Sequence, residues 1–382
     1  MGQSRTAIVF QTVWRTLAVV ALCLLAVWSY ERRDRGERAG TATDAILDTP
    51  PPPMSAPQRW LDGELSRLGG GFAGHVGIAV TSAGDRETTH FNGLERFPQQ
   101  SVSKLWVALT ALDRVDRNEL DLDEMVAVRF EDLTVFYQPI RKRVLREGVV
   151  STDYRDLIER ALAQSDNTAN DLTLRRVGGP EAVQEWLDAN DLSAIRFGAD
   201  ERTKQSWIAG LEWRQSFAVG PAFFDARDRV GEAVRRARFE AYLADPVDGA
   251  PPAAIATALA RLAEGDLLDR DTTRLILDVM ASAKSGPQRL KGGVPEGWSI
   301  AHKTGTGQFF DGEQSGYNDV GILTAPDGSR YGVAVMIART RAPTPARFEL
   351  MQSVTRAVAE YHRRRAAPTS SPRPQTASTG PS

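Results

Sequence analysis

Residues 298–309 (WSIAHKTGTGQF), 317–324 (YNDVGILT) and 331–339 (YGVAVMIAR) decide the fold. Each reads as a strand rich in β-branched and aromatic residues, and Pro326–Asp327–Gly328 supplies a turn between the last two. A helical spacing over 345–364 follows them. At the other end of the chain stand two more strand-like runs, 75–82 (HVGIAVTS) and 86–92, parted by the turn residues Gly84 and Asp85. Before these, Trp60, Leu61, Leu65 and Leu68 give 57–68 a helical pattern. The middle is helical: Leu105, Ala108, Leu109, Leu112 and Val115 repeat at helical spacing through 101–117, and helices fit 153–164, 168–177, 180–189, 253–264 and 271–283. The expectation is an α+β fold of three-layer α/β/α type. One antiparallel sheet is built from both chain ends, with helices on its faces and an all-helical subdomain between.

The 382 residues carry a formal net charge of -2, with 42% hydrophobic and 25% charged residues. That is ordinary globular composition and points away from nucleic acid as a partner. Cys23 is the one cysteine, so no intramolecular disulfide forms. His75, His90, His302 and His362 are scattered and make no metal motif, so neither a metal nor another cofactor is expected. The run 16–29 (TLAVVALCLLAVWS) makes 1–30 a retained signal-anchor or a cleaved signal peptide. No small-x-small cleavage signal follows it. Arg32, Arg33, Arg35 and Arg38 on its far side oppose an outward-facing domain, although Glu31, Asp34 and Glu37 blur that bias. Residues 31–56 read as a Pro-rich linker, 57–365 as the globular domain and 366–382 as a disordered tail. A monomer is expected.

Three short motifs occur in order. They are Ser101-Val102-Ser103-Lys104, Ser165-Asp166-Asn167 and Lys303-Thr304-Gly305. Ser101 opens a helical pattern, which sets Lys104 on the same face one turn along. A serine hydroxyl is a poor nucleophile until a base takes its proton, and a nearby lysine can do so. Ser165 and Asn167 fall between two helical stretches, where side chains can reach a cleft. Lys303-Thr304-Gly305-Thr306 lies on a strand, which can offer backbone groups to an amide and a cation and hydroxyls to a carboxylate. Each motif alone has a bland reading: Ser101 as an N-cap with a solvated Lys104, Ser165-Asp166-Asn167 as a capping segment, K-T-G as a turn. All three together in this order make the chemical reading the stronger one.

The set resembles that of the class A β-lactamase family and its penicillin-binding relatives, S-x-x-K, S-D-N and K-T-G. QSDNTANDLTLRRVGGPEAV, GWSIAHKTGTG and NDVGIL extend the resemblance, which covers about residues 57–363. It implies a serine hydrolase that opens the β-lactam ring through an acyl-enzyme. Ser101 would be the nucleophile and Lys104 its proton acceptor. Ser165 would relay a proton to the leaving nitrogen, and Asn167 would hold the substrate amide. Lys303, Thr304 and Thr306, with Gly305 between them, would bind the substrate carboxylate. The backbone N–H groups of Ser101 and Thr306 would form the oxyanion hole. Such an enzyme would act in the periplasm, anchored to the inner membrane or released there. The same residues also fit a D-alanyl-D-alanine peptidase or transpeptidase acting on a peptidoglycan stem peptide, or a membrane-tethered β-lactam sensor without turnover.

The chain departs from this family in two places. The family's deacylating carboxylate sits in an E-x-x-L-N motif, which is absent here. Glu201, followed at +4 by Gln205 in Glu201-Arg-Thr-Lys-Gln205, has close to the usual distance from Ser165. Glu240, in Arg238-Phe-Glu240-Ala-Tyr-Leu, keeps the leucine without the amide. Glu201, Glu240 or neither could activate the deacylating water. The stretch from S-D-N to K-T-G is also about three dozen residues longer than the family's. The surplus at 207–247, with Trp207, Trp213, Phe217, Phe223, Phe224, Phe239 and Tyr242, is too apolar for a loose loop and should pack as extra helix beside the cleft.

Overall fold

The computed structural model describes residues 54–367. The apolar run 16–29, nearly all of the linker and nearly all of the C-terminal tail lie outside them. Among the described residues no helix is long and apolar enough to cross a membrane.

Helix α1 (Ala56–Gly70) leads into strands β1 (Gly74–Ser82) and β2 (Thr88–Phe91), then a two-residue strand β3 (Phe97–Pro98). The helical subdomain follows. It comprises α2 (Lys104–Asp116), β4 (Met125–Val128), α3 (Arg141–Glu147), β5 (Val150–Asp153), α4 (Tyr154–Glu159), a π turn over Arg160–Gln164, α5 (Asn167–Arg176) and α6 (Pro180–Ala189). Next come α7 (Glu201–Ile208), α8 (Ala222–Asp228), α9 (Glu232–Ala244), β6 (Gly249–Ala250), α10 (Pro252–Glu264) and α11 (Arg270–Ala281). The chain closes with β7 (Ser299–Thr306), β8 (Phe309–Phe310), β9 (Glu313–Thr324), β10 (Arg330–Thr340) and α12 (Thr344–Ala366).

The main sheet runs β2-β1-β10-β9-β7 with β8 added to β9, and every pair is antiparallel. The first strand thus pairs with the last, Ile78 opposite Val335. Side chains alternate across it. Val76, Ile78, Val80, Val333, Val335 and Ile337 pack with Leu61 and Leu65 of α1 and Met351 and Val354 of α12. Ala79, Val320, Ile322, Ala334 and Met336 face α10 and the helical subdomain. The three layers expected from the sequence are these two helical faces and the sheet between them.

Several expected elements have different bounds, and two of them shape the site. The helix expected from Ser101 begins at Lys104, preceded by a 3₁₀ turn over Gln100–Ser103. The strand expected over 298–309 ends at Thr306. Asp311 and Gly312, both at positive φ, turn β8 back onto β9 as a short hairpin.

Candidate active site

The 3₁₀ turn is what aims Ser101. Gln100 has φ 54°, a left-handed conformation that costs a non-glycine residue about 1–3 kcal/mol and needs outside support. It has that support. Its N–H donates to Asp248 Oδ2 at 2.9 Å, its side-chain amide donates to the Tyr242 hydroxyl at 2.7 Å, and its Oε1 accepts from Gln205 at 3.0 Å. Ser101 makes no helix cap, and Lys104 is fully buried, so the bland reading of this motif fails. Lys104 Nζ lies 3.0 Å from Ser101 Oγ, 2.7 Å from Asn167 Oδ1 and 2.9 Å from Glu201 Oε1. An ammonium donates all three bonds. A neutral amine donates two and accepts the Ser101 proton.

The Ser165-Asp166-Asn167 segment divides into a support and two side chains that line the cleft. Asp166 caps α5 by accepting from Ala169 N at 3.1 Å, and also accepts from Ile140 N at 2.9 Å. Ser165 terminates the π turn in a left-handed conformation, φ 61°, which points its hydroxyl at Lys303. Lys303 Nζ donates to Ser165 Oγ at 2.9 Å. Asn167 accepts from Lys104 and donates its amide to Val135 O at 2.8 Å.

Strand β7 is an edge strand of the sheet and packs against the serine turn. Gly305 is needed for that approach, because a Cβ there would meet the Gln99 carbonyl oxygen at 2.3 Å. Lys303 is fully buried. Desolvation, with Lys104 and Arg289 nearby, holds its ammonium well below the ordinary lysine range. Thr304 Oγ1 shares a hydrogen bond with Ser285 Oγ at 2.8 Å. Thr306 Oγ1 accepts from Arg289 at 2.6 Å, which leaves its own proton free to donate.

Glu201 is the first residue of α7 and is buried. Besides Lys104, its Oε2 accepts from Gln205 Nε2 at 3.2 Å, and its N–H donates to Asp171 Oδ1 at 3.2 Å. Burial alone would raise its pKa, but the Lys104 and Lys204 cations outweigh that and hold it well below the usual carboxylate range. Glu240 sits elsewhere, half-exposed and paired with Arg339 at 2.7 Å. Ser101, Ser165, Asn167, Glu201, Gln205, Thr304 and Thr306 line one cleft of about 360 Å³. Lys104 and Lys303 lie buried beneath it.

Residues 61–362 match a profile described as the beta-lactamase enzyme family. The extended-spectrum beta-lactamase PER-1 of Pseudomonas aeruginosa is 30% identical over 263 residues, covering 69% of this chain and 74% of that protein. Beta-lactamase VEB-1 of the same organism is 22% identical over 290 residues, covering 75% and 85%. The chain belongs to the class A β-lactamase family. Among solved structures, an ancestral class A β-lactamase superposes with a TM-score of 0.62 at 26% identity, covering 78% of this chain and 99% of that one. The TLA-3 extended-spectrum β-lactamase gives 0.66 at 22%, covering 80% and 99%.

Set beside the family's motifs, two features of this cleft were not foreseen from sequence. Arg289 is buried and grips β7 through Gly305 O at 3.0 Å and Thr306, stacked 3.8 Å over the Tyr317 ring. No motif marks it, and its three partners are distant in sequence. Phe136 and Tyr137 form a cleft wall tied to Asn167, whose N–H donates to Tyr137 O at 3.0 Å. Phe136 is held at φ 62°, its ring 4.9 Å from Phe223 and 5.9 Å from Phe224. Those aromatics come from the surplus segment 207–247, which forms α8 and α9 after the end of α7. The insertion therefore packs as helix, as its composition suggested, and buttresses the cleft as well.

Proposed function

We propose that this chain hydrolyses β-lactams through an ester on Ser101. The observation that carries this reading is Lys104, whose Nζ joins Ser101 Oγ to Glu201 Oε1 in one buried network. Acylation needs the lysine as a neutral amine. It takes the Ser101 proton as Oγ attacks the lactam carbonyl, and the Glu201 carboxylate steadies the ammonium so formed. The lactam C–N bond then breaks, and Ser165 Oγ supplies the proton to nitrogen. Lys303, destabilised as an ammonium, restores that proton to Ser165. The Ser101 and Thr306 N–H groups are assigned to the oxyanion. The Thr304 and Thr306 hydroxyls, beside Arg289, are assigned to the substrate carboxylate. In the second half Glu201 takes a proton from water, which attacks the ester, while Gln205 orients that water.

The presence of Glu201 beside the nucleophile favours turnover over stable acylation. The test compares nitrocefin turnover with labelling by a fluorescent penicillin. Sustained turnover with transient labelling supports hydrolysis. A label that persists without turnover supports the peptidase or sensor reading instead. The apolar run 16–29 supports a further assignment, a chain held at the inner membrane, or cleaved after that run, with 57–365 acting in the periplasm.

A further inference from the structure

The family's E-x-x-L-N motif has a leucine where this chain has Lys204. A leucine there needs only apolar packing. A lysine in the same buried place costs several kcal/mol unless its charge is met. Lys204 is 2% exposed, and its Nζ lies 3.4 Å from Glu201 Oε1 and 3.3 Å from Asp248 Oδ2. It does not line the cleft. Lys104 and Lys204 therefore approach the same oxygen, Oε1 of Glu201, from two elements. Among the described residues the other oxygen, Oε2, meets only the Gln205 amide, and both residues line the cleft.

We propose that Lys204 is a positioning residue for hydrolysis of the acyl-enzyme: it shares Oε1 with Lys104 and so leaves Oε2, beside Gln205, as the oxygen that takes the water's proton. This rests on the hydrolytic reading above and assigns a division of labour between the two oxygens of one carboxylate. It also removes a conflict within that mechanism. Lys104 must be neutral to accept the Ser101 proton. At that moment a buried Glu201 with no other cation would be an uncompensated charge and would itself take up a proton. Lys204 remains charged, held so by Glu201 and Asp248 against desolvation, so Glu201 stays ionised while Lys104 changes state. Asp248 is itself fixed by Tyr242 at 2.9 Å and by Gln100 N–H. The anchor of Lys204 is thus the residue that also supports the strained turn carrying Ser101.

The charged and titratable groups around Glu201 are Lys104 of α2, Asp171 of α5, Lys204 on α7 with Asp200 at its cap, Tyr242 of α9, Asp248 before β6, and Lys303 of β7. Of these, only Lys104 and Lys204 bring a cation within hydrogen-bonding reach of its carboxylate.

The test is the pH profile of deacylation, read by stopped-flow decay of the acyl-enzyme on the full chain. Wild type should hold its rate to below the ordinary carboxylate range. Lys204→Met should move the acid limb up by about 1–3 pH units and slow deacylation at least about tenfold at a pH one unit below the variant's new limb, where wild type still turns over and acyl-enzyme of the variant builds up. Lys204→Arg should restore the low limb. The double variant Lys204→Met/Asp248→Asn removes both charges and should behave like Lys204→Met, which covers the case that the single variant folds poorly. A wild-type limb in the ordinary carboxylate range overturns the proposal without any variant. So does a folded Lys204→Met, or the double variant, with an unmoved limb. Wild type that acylates and never turns over sinks the hydrolytic reading and this proposal with it. Turnover with an unmoved limb sinks this proposal alone.

Discussion

Among the described residues Ser101 is the one hydroxyl that Lys104 reaches, so Ser101→Ala should abolish both covalent labelling by a fluorescent penicillin and nitrocefin turnover. A variant still labelled at another residue would remove Ser101 from its role. Glu201→Gln keeps the shape and loses the base. It should acylate and then stall, with hydrolysis of the ester down about 10²–10⁴-fold and the adduct visible by intact mass. Glu240→Gln should turn over normally, since Arg339 and not the cleft holds that carboxylate. Asp171 gives a third expectation at this scale. It is buried, and desolvation with Asp200 and Glu201 nearby pushes it up to about 7. Between its unfolded pKa of 3.8 and about 7 the folded chain keeps a proton that the unfolded chain has lost. Stability from this group therefore falls as pH rises through that window, by on the order of a few kcal/mol, and levels off above it. Asp171→Asn should raise Tm at pH 8 by several degrees and change it little at pH 4, as read by thermal melts across pH. The S-x-x-K, S-D-N and K-T-G side chains were legible because each motif is contiguous. Arg289 and Lys204 were not. Arg289's partners and Lys204's Asp248 come from other elements, and nothing local separates a buried ion pair from a surface charge.

Among elements, those with a regular apolar stripe were legible. Helices α1, α10, α11 and α12 and strands β1, β9 and β10 stand close to where periodicity sets them. Helix α3 was missed because RKRVLRE buries only Val144. The small β4–β5 pair was missed because three of the four β4 residues stay at least partly exposed. Helix α7 is eight residues with five of them buried, and four of those five are Glu201, Lys204, Gln205 and Ser206. A polar buried face has no hydrophobic period to read. The insertion is the element whose removal should matter to catalysis without touching a catalytic atom. Phe223 is buried between Phe217, Phe224 and Phe136. Phe223→Ala should cost about 3–5 kcal/mol as a cavity. It should also free Phe136 from its left-handed conformation. KM for bulky β-lactams should then change more than kcat, while Lys204-dependent deacylation keeps its pH profile. Equal loss of kcat and no change in KM would mean that the insertion stabilises the fold only.

For the whole molecule, the anchored reading predicts that fractionation leaves full-length chain in the membrane pellet. Recovery of a shortened soluble form would support cleavage after the apolar run. A linker of up to about 80 Å would give the catalytic domain reach from the bilayer. The sheet order carries a separate consequence, for synthesis. β1 waits for β10, its neighbour in space and roughly 250 residues away along the chain. At about 5–20 residues per second a ribosome needs roughly 10–50 s to deliver that partner. Throughout that interval β1 has β2 on one edge, while the other edge, where Val76, Ile78 and Val80 will lie opposite Ile337, Val335 and Val333, stays open. β10 is also the strand that joins β2-β1 to β9-β7. A premature stop before Arg330 would therefore yield two half-sheets with open edges rather than a shortened enzyme. Such nonsense alleles should appear as insoluble or degraded protein, not as weak resistance.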